Sequence, residues 1–208
     1  MDVYEAIAAR KTIRDFASKA IPANVIEKIL AAGLKAPTND HMRNWHFVLL
    51  QDEARRRELL DQVIHPADEK GAIRIINRWG LTNESQRHVY IDAIPKQYNM
   101  LYTSACLILP FYKEPGTLLK PKDLSSLNYF ASIWCCVENI LVAAAAEGIF
   151  GVTRIPFEAE RKTIKSFLNI PAGYEIPCYI ALGYPAETAQ RLGQVEIDLH
   201  DRIHKDGW

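Results

Sequence analysis

The stretch from Leu127 to Gly148 constrains the fold of this chain more than any other segment. Its apolar residues recur at spacings of three and four, which is the pattern of a helix with an apolar face. One row comprises Leu127, Phe130, Trp134, Val137, Leu141, Ala144 and Gly148, and a second comprises Ile133, Cys136, Ile140 and Ala143. The two rows together cover more of a helix than one face of a sheet requires. The sequence therefore predicts a long central helix that is buried on most sides.

Short apolar runs predict a few strands around this helix. Trp45–Leu50 is apolar on both faces after its start, which predicts a strand in the interior of a sheet. Cys106–Leu109 predicts a buried strand that ends at Pro110, and Ile176–Tyr184 predicts the last strand. Gly151–Pro156 fits either a short strand or a loop. Few strands among many helices indicate an α+β fold.

Most of the remaining chain is predicted to be helical. Asp2, followed three residues later by Glu5, predicts a capping box at the first helix. Further helices are predicted at 22–36, 52–64 and 158–168. Residues 66–104 are predicted to be a polar excursion with helical pieces that Gly80 and Pro95 interrupt. Since no linker or internal repeat is found, residues 1–208 are predicted to form a single domain.

The charge balance argues against a nucleic-acid-binding protein. Lys and Arg number 25, Asp and Glu number 25, and the formal net charge is zero. Binding to nucleic acid needs a cationic surface that displaces counterions from phosphates. A neutral chain also meets little long-range repulsion when copies associate. The composition therefore predicts a protein that binds no nucleic acid, and its zero net charge permits self-association.

The sequence predicts a cytoplasmic protein without a membrane span. Charged residues within the first eleven positions leave no apolar core for a signal peptide. Phe130–Val152 is apolar, but Glu138, Asn139 and Glu147 interrupt it and would each be costly in lipid. The four cysteines contain no C-x-x-C pair and are predicted to be buried thiols in a reducing compartment.

Common catalytic motifs are absent from the sequence. It contains no P-loop, no G-x-G-x-x-G after a strand, no H-E-x-x-H and no G-x-S-x-G. His200 and His204 are spaced to hold a metal from one helix face, but a third ligand is missing nearby. We therefore interpret them as two surface histidines rather than as a metal site.

Four segments concentrate polar chemistry. Arg10–Phe16 places three cations and a hydroxyl within five residues, which suits a phosphate monoester, although a solvated basic turn has the same composition. Ala36–Phe47 is a polar loop that leads into a buried strand. Taken alone, Gly148–Pro156 and Ala181–Glu187 could each be an ordinary end of a helix or strand without a role in binding.

In this order the four segments resemble the nitroreductase-like flavoproteins. The likeness runs from Arg10 to Glu187 and follows the family patterns R-R-S-x-R-x-F, A-P-S-x-x-x-x-x-P-W-x-F, a Gly-rich turn after a long helix, and L-G-Y-P-A-E. It implies a three-layer α/β/α fold with a small mixed or antiparallel sheet. It also implies a homodimer built on the long helix, with FMN at the subunit interface. Residues 66–104 would form a variable lid, and 186–208 an arm that is exchanged between protomers.

The resemblance assigns the first motif to the FMN phosphate and ring. Arg10 and Thr12 would hold the phosphate, and Lys11 would add backbone or charge contacts. Arg14 would approach the N1/O2 edge of the ring, where a fixed cation stabilises the negative charge of the reduced flavin. Arg191 is the candidate for a further cation at the phosphate.

Two further segments are assigned to the flavin by the same resemblance. Thr38 and Asn39 correspond to a small polar pair that touches the ring or the ribityl chain. Thr153, Arg154 and Ile155 match the segment that passes the central ring near N5.

The chain also departs from the family pattern. It has His41, Arg43 and Asn44 where many members have Asn and then Gln-Pro, and a histidine at the first position occurs in dehalogenase-like relatives. Arg43 and Arg154 would add positive charge near the ring. This predicts a raised reduction potential and a preference for anionic substrates.

The activity that the resemblance implies is that of an FMN-dependent oxidoreductase. Reduced nicotinamide, NADH or NADPH, would deliver a hydride to the flavin, and a nitroaromatic, quinone or enone would then receive it. No catalytic side chain is assigned, because the flavin carries the redox chemistry. The alternatives are a reductive dehalogenase or other specialised reductase, a flavin carrier or sensor without turnover, and a scaffold without flavin.

Overall fold

The computed structural model describes residues 1–63, 66–114, 116, 118–190 and 196–208. The helices are α1 (Val3–Ala9), α2 (Ala23–Gly33), α3 (Glu53–Leu60), α4 (Glu69–Arg78), α5 (Glu84–Thr103), α6 (Asn128–Ala146) and α7 (Glu158–Phe167). The strands are β1 (Trp45–Leu49), β2 (Cys106–Lys113), β3 (Phe150–Arg154), β4 (Tyr174–Glu175) and β5 (Tyr179–Gly183). Single 3-10 turns lie at Leu124–Leu127 and Leu199–Arg202.

The strands form one small sheet in the order β1-β2-β5-β3, and β4 pairs with β2. Every strand pair is antiparallel, as in the register Ile108–Ile180 between β2 and β5 and Val152–Ala181 between β3 and β5. Of the two predicted alternatives, a mixed sheet and an antiparallel sheet, the structure has the antiparallel one. The segment 151–156, for which a strand and a loop were both open, forms most of β3.

Helices cover both faces of the sheet. Alternate sheet residues pack against α2 and α6 on one face: Cys106, Ile108, Ile180 and Leu182. The residues between them pack against α3, α5 and α7 on the other: Leu107, Leu109, Tyr179 and Ala181. Side chains that alternate between two buried faces are what a central, doubly covered sheet requires. The three-layer α+β fold predicted from the sequence is confirmed.

The long central helix is confirmed as α6, although one chain buries only part of it. α2 contacts it closely at Gly33, where a Cβ would lie 2.7 Å from Ile140 Cγ1. By length and composition Leu124–Ala146 could cross a bilayer, but 39% of its most apolar window is buried in the fold. Cys135 of α6 is exposed, so the prediction of four buried thiols is wrong for this residue. The predicted burial on most sides is therefore not provided by a single chain.

Pro95 lies inside α5 and does not end a helix as predicted, whereas Gly80 does separate α4 from α5. A proline within a helix removes one hydrogen bond, here the one to the carbonyl of Ile91. The helix continues because the following turns bury Tyr98 and Leu101. Tertiary packing of this second half outweighs the local cost.

Pro110 does not end its strand either, since β2 continues to Lys113. Pro110 pairs with Phe47 of β1 at a position that exchanges no backbone hydrogen bond. On its other side the pairing with β5 ends at Ile108, and the pairing with β4 begins at Tyr112. The missing N–H of Pro110 therefore falls into a gap of the ladder.

β1 is an edge strand, which corrects the prediction of an interior one. Within the described ranges it pairs with β2 alone. Phe47 and Leu49 pack in the core beneath α6, whereas Val48 packs in the core on the opposite face. Its two apolar faces reflect the helices above and below it rather than strands on both sides.

Candidate functional site

The cation turn, residues 10–16, lies across the ends of β3 and β5. Thr12 forms a parallel bridge with Gly151, and the N–H of Ile13 donates to the Gly151 carbonyl. Phe16 forms an antiparallel bridge with Pro185. These contacts bring together the first, third and fourth of the polar motifs, which are far apart in the sequence.

The first three residues of the cation turn present polar groups to solvent. Arg10 Nε lies 3.4 Å from Glu138 Oε1 of α6, and the Arg10 side chain is 26% exposed. Lys11 and Thr12 are exposed. Two cations and a hydroxyl are therefore accessible at adjacent positions.

Arg14, by contrast, is half-buried. Burial lowers the pKa of its guanidinium, and nearby Asp92, Asp15 and Tyr90 oppose this shift. An arginine nevertheless stays protonated in a protein at neutral pH. Among the residues that the structure describes, none hydrogen-bonds to its guanidinium. Arg14 is a partly desolvated cation whose donors are available to a ligand.

Two carboxylates beside Arg14 are held by Lys96 of α5. Lys96 Nζ lies 2.7 Å from Asp15 Oδ2 and 2.6 Å from Asp92 Oδ1. Partial burial alone would lower the pKa of Lys96, but its contacts with Asp15 and Asp92 outweigh this and raise it. The excursion 66–104 is thereby tied to the cation turn.

The polar loop, residues 37–44, is shaped by its own side chains. Thr38 Oγ1 donates to Asp40 Oδ1 at 2.7 Å, and the Met42 N–H donates to the same oxygen at 3.0 Å. The Thr38 hydrogen bond and then the Met42 N–H lower the pKa of Asp40. His41 and Arg43 adopt φ of 59° and 46°, a left-handed backbone that is uncommon for residues other than glycine.

The polar loop is anchored to α6 through Asn39. Ser132 Oγ lies 3.4 Å from both the Asn39 N–H and Asn39 Oδ1. Arg43 folds back on the loop, and its Nε donates to the Ala36 carbonyl at 3.2 Å. The Arg43 guanidinium is thus partly engaged by its own loop.

Arg154 is part of a buried ion pair with Glu160 of α7. Its two terminal nitrogens donate to the two Glu160 oxygens at 2.5 and 2.6 Å, and Nη2 also lies 3.0 Å from the Tyr98 hydroxyl. The side chains of Arg154 and Glu160 are 6% and 3% exposed. Glu160 therefore neutralises the positive charge that Arg154 was expected to add near the ring.

The other predicted residues of this segment lie at the end of β3. Thr153 is half-buried and pairs with Ile180, and Ile155 is 64% exposed just beyond the strand. Arg191 lies outside the described residues. His200 and His204 are exposed, and the ring of His204 stacks on Trp208.

Sequence reasoning missed several polar residues around these motifs. Asp92 and Lys96 stand four apart with the acid first, a helical pairing pattern that was available as a signal. The partners Glu160 and Ser132 had no such signal, because only the tertiary fold brings them to Arg154 and Asn39.

The two halves of the predicted site attach to different faces of α6. Ser132, which holds the polar loop, and Glu138, which contacts Arg10, are six residues apart. Such a separation corresponds to about 9 Å along a helix and about 120° around it. Within the described ranges no hydrogen bond or ion pair joins the polar loop to the cation turn.

Comparison with known proteins agrees with this arrangement. A model of the nitroreductase family matches residues 7–184. The chain belongs to the nitroreductase family. This confirms the resemblance found in the sequence motifs.

Individual relatives of this nitroreductase-family chain carry different names. It is 25% identical over 191 residues to the iodotyrosine deiodinase of Nematostella vectensis, covering 91% of this chain and 69% of that protein. It is 24% identical over 188 residues to a protein named NADH dehydrogenase from Thermus thermophilus, covering 90% and 88%. A crystal structure of oxidised iodotyrosine deiodinase bound to FMN and 3-iodo-L-tyrosine has a TM-score of 0.72 at 16% identity, covering 100% of both chains. The shared fold thus accompanies more than one named activity.

Proposed function

We propose that this nitroreductase-family chain binds FMN and transfers hydride from NADH or NADPH to a small organic acceptor such as a nitroaromatic, a quinone or an enone. The observation that carries the proposal is Arg14, a half-buried cation without a hydrogen-bond partner in the described part of the chain. A guanidinium that is partly desolvated and has free donors gains stabilisation from a ligand that accepts charge-assisted hydrogen bonds.

The donor set of the cation turn suits FMN. Arg10, Lys11 and Thr12 offer two charges and a hydroxyl to a phosphate, which binds such groups through charge-assisted hydrogen bonds. Arg14 offers a planar donor group to the acceptor edge of the ring. Arg191, outside the described residues, stays a candidate for a further phosphate contact.

When bound, FMN would supply the redox chemistry by accepting a hydride from reduced nicotinamide and passing it to the acceptor. Arg14 would hold a fixed positive charge beside the ring, and the backbone of Thr153, Arg154 and Ile155 would border it. No side chain of this chain is assigned as a proton donor or nucleophile.

We propose further that the site is completed in a homodimer. Within the described ranges no hydrogen bond or ion pair joins the polar loop with Thr38 and Asn39 to the cation turn of the same chain, and we propose that the loop of a second copy completes the site. The arm after Ala186 exposes apolar side chains that a partner would cover: Ile197, Leu199, Ile203 and Trp208. Four free thiols support placing this dimer in the reducing cytoplasm.

The test is anaerobic titration of the purified protein with FMN and then with NADH and NADPH. We expect one FMN per chain, bleaching of its absorbance by reduced nicotinamide, and reoxidation by at least one member of an acceptor panel. Protein that neither carries nor takes up FMN would refute the proposal. Bound FMN that neither NADH nor NADPH bleaches would favour the carrier or sensor alternative.

Reductive dehalogenation is the second candidate, and the similarity to iodotyrosine deiodinase favours it. The excursion 66–104, proposed as the substrate lid, presents an edge-to-face pair of Trp79 and Tyr90 whose centroids are 5.5 Å apart. These rings are partly exposed and could contact an aromatic substrate. Halide release from 3-iodotyrosine by the pre-reduced protein, measured beside nitroaromatic reduction, distinguishes the two activities.

A further inference from the structure

Lys96 pairs with two carboxylates whose charges also act on Arg14. Its Nζ is at ion-pair distance from Asp15 on the cation turn and from Asp92 one helical turn earlier on α5. The same two carboxylates act on Arg14, where they oppose the effect of burial on its pKa. In the described part of the chain, however, only Lys96 is at ion-pair distance from them.

This contact is fixed from both sides. The Asp15 carbonyl accepts a hydrogen bond from the Ala186 N–H at 3.0 Å, which holds the cation turn against the segment after β5. On α5 the neighbouring residues Ile94 and Tyr98 are buried. The Lys96 side chain is 29% exposed. Lys96 thus joins a carboxylate of the cation turn and a carboxylate of α5 through one ammonium group.

Lys96, Arg14, Asp15 and Asp92 together carry two positive and two negative charges. If Lys96 were neutral, the two carboxylates would lose the cation that holds them. Arg14 directly precedes Asp15 in the chain, both carboxylates act on its charge, and its donors have no hydrogen-bond partner among the described residues. Asp15 and Asp92 would then engage the guanidinium themselves.

We propose that Lys96 is a positioning residue that keeps the donors of Arg14 free for the flavin. This inference rests on the proposed function, because it assigns those donors to FMN. The excursion 66–104 would then have a second role besides covering the substrate. Through Lys96 it would set the net charge of the groups beside the flavin ring. A net negative surrounding would disfavour the negative charge that reduced flavin carries, and would lower its reduction potential.

The test compares Lys96→Met with Lys96→Arg, the double variant Asp92→Asn/Lys96→Met, and Lys162→Met as a control. Lys162 is 78% exposed and lies 3.6 Å from Glu158 on α7. Two quantities are measured for each variant: the dissociation constant of FMN from fluorescence titration, and the midpoint potential of the bound flavin. We expect Lys96→Met to weaken FMN binding about tenfold and to make the potential more negative. Lys96→Arg and the double variant should recover both values toward those of the unaltered protein.

The outcomes separate this inference from the function on which it rests. If the unaltered protein does not bind FMN, both fail. If it binds FMN and Lys96→Met matches Lys162→Met in affinity and potential, only the role of Lys96 is overturned. A weaker affinity with an unchanged potential, or a double variant that recovers neither value, indicates mere structural support and also overturns it.

Discussion

Arg14 and Arg154 are two arginines that the sequence motifs assign to the flavin, and the fold gives them opposite surroundings. Arg154 is buried with a carboxylate that meets both of its terminal nitrogens, and two tyrosine hydroxyls complete the cluster. Arg14 is half-buried beside carboxylates that Lys96 holds. The comparison teaches that a cation in a family motif is available for binding only if the fold leaves its donors without partners.

Glu160→Gln should have the largest effect, because it leaves the Arg154 charge buried without a counterion. Removing one partner of a buried pair costs about 3–5 kcal/mol. Urea unfolding without added FMN should therefore show a loss of that size. Glu158→Gln is the matched control, since Glu158 is 52% exposed, and it should cost less than about 1 kcal/mol. Equal losses in the two variants would mean that the Arg154 pair is not a structural element.

Arg14→Met should affect binding rather than folding. Loss of a charged hydrogen-bond donor weakens binding by about 2 kcal/mol, which is about a 30-fold increase in the FMN dissociation constant. The free energy of unfolding without FMN should change by less than about 1 kcal/mol, because no protein hydrogen bond of the described residues is lost and only the longer-range attraction to Asp15 and Asp92 disappears. Fluorescence titration and urea unfolding check the two parts, with Arg57→Met, an exposed arginine, as the control. A large loss of stability would contradict this prediction, because it would mean that Arg14, like Arg154, stabilises the fold through contacts with protein groups.

Two tyrosines, one beside each arginine, extend the comparison to smaller changes in the free energy of unfolding. Tyr98→Phe removes the hydroxyl that lies 3.0 Å from Arg154 Nη2, and should lower the free energy of unfolding by about 1 kcal/mol. Tyr90→Phe, beside Arg14, should leave it unchanged within about 0.3 kcal/mol, because no hydrogen bond of its hydroxyl is found within the described ranges. Thermal unfolding of both variants measures the difference. The reverse order of the two effects would contradict the contrast between the two arginines.

Glu175 forms ion pairs with Arg161 and Lys165, and its burial is intermediate between that of the Arg154 pair and that of exposed pairs. Burial alone would raise its pKa, but its contacts with Lys165 and Arg161 lower the pKa below the ordinary value of 4.5. Its stabilising effect is therefore present above pH 4.5 and is lost as the pH falls further. Glu175→Gln should cost about 1 kcal/mol at pH 7, and the difference from the unaltered protein should shrink by pH 3. Urea unfolding at the two pH values measures it, and a constant difference would contradict the shift.

The fold was largely predictable because its main signals are local. The apolar rows of α6, the capping box of Asp2 and Glu5, and the break at Gly80 each depend on neighbours in the chain, and the structure has all three. The errors at Pro95 and Pro110 have the opposite origin. Whether a proline ends an element depends on which hydrogen bond it removes and on packing elsewhere, and neither is visible locally.

The site was predictable only as a set of motifs. Their order identified the family, and the fold brings the first, third and fourth of them together. Whether each motif arginine is paired could not be predicted from the motifs. Glu160, which pairs with Arg154, and Lys96, which holds the carboxylates beside Arg14, come from segments outside them. Glu160 neutralises the charge expected of Arg154, and Lys96 holds the two carboxylates whose charges act on Arg14.

The attachment of both halves of the site to α6 limits how the chain can diverge. One residue inserted between Ser132 and Glu138 would rotate one attachment point by about 100° and shift it by about 1.5 Å. Substitutions in this interval alter only contacts, whereas a change of length would misalign the polar loop relative to the cation turn. We therefore expect homologues to vary the composition of this interval and to conserve its residue count.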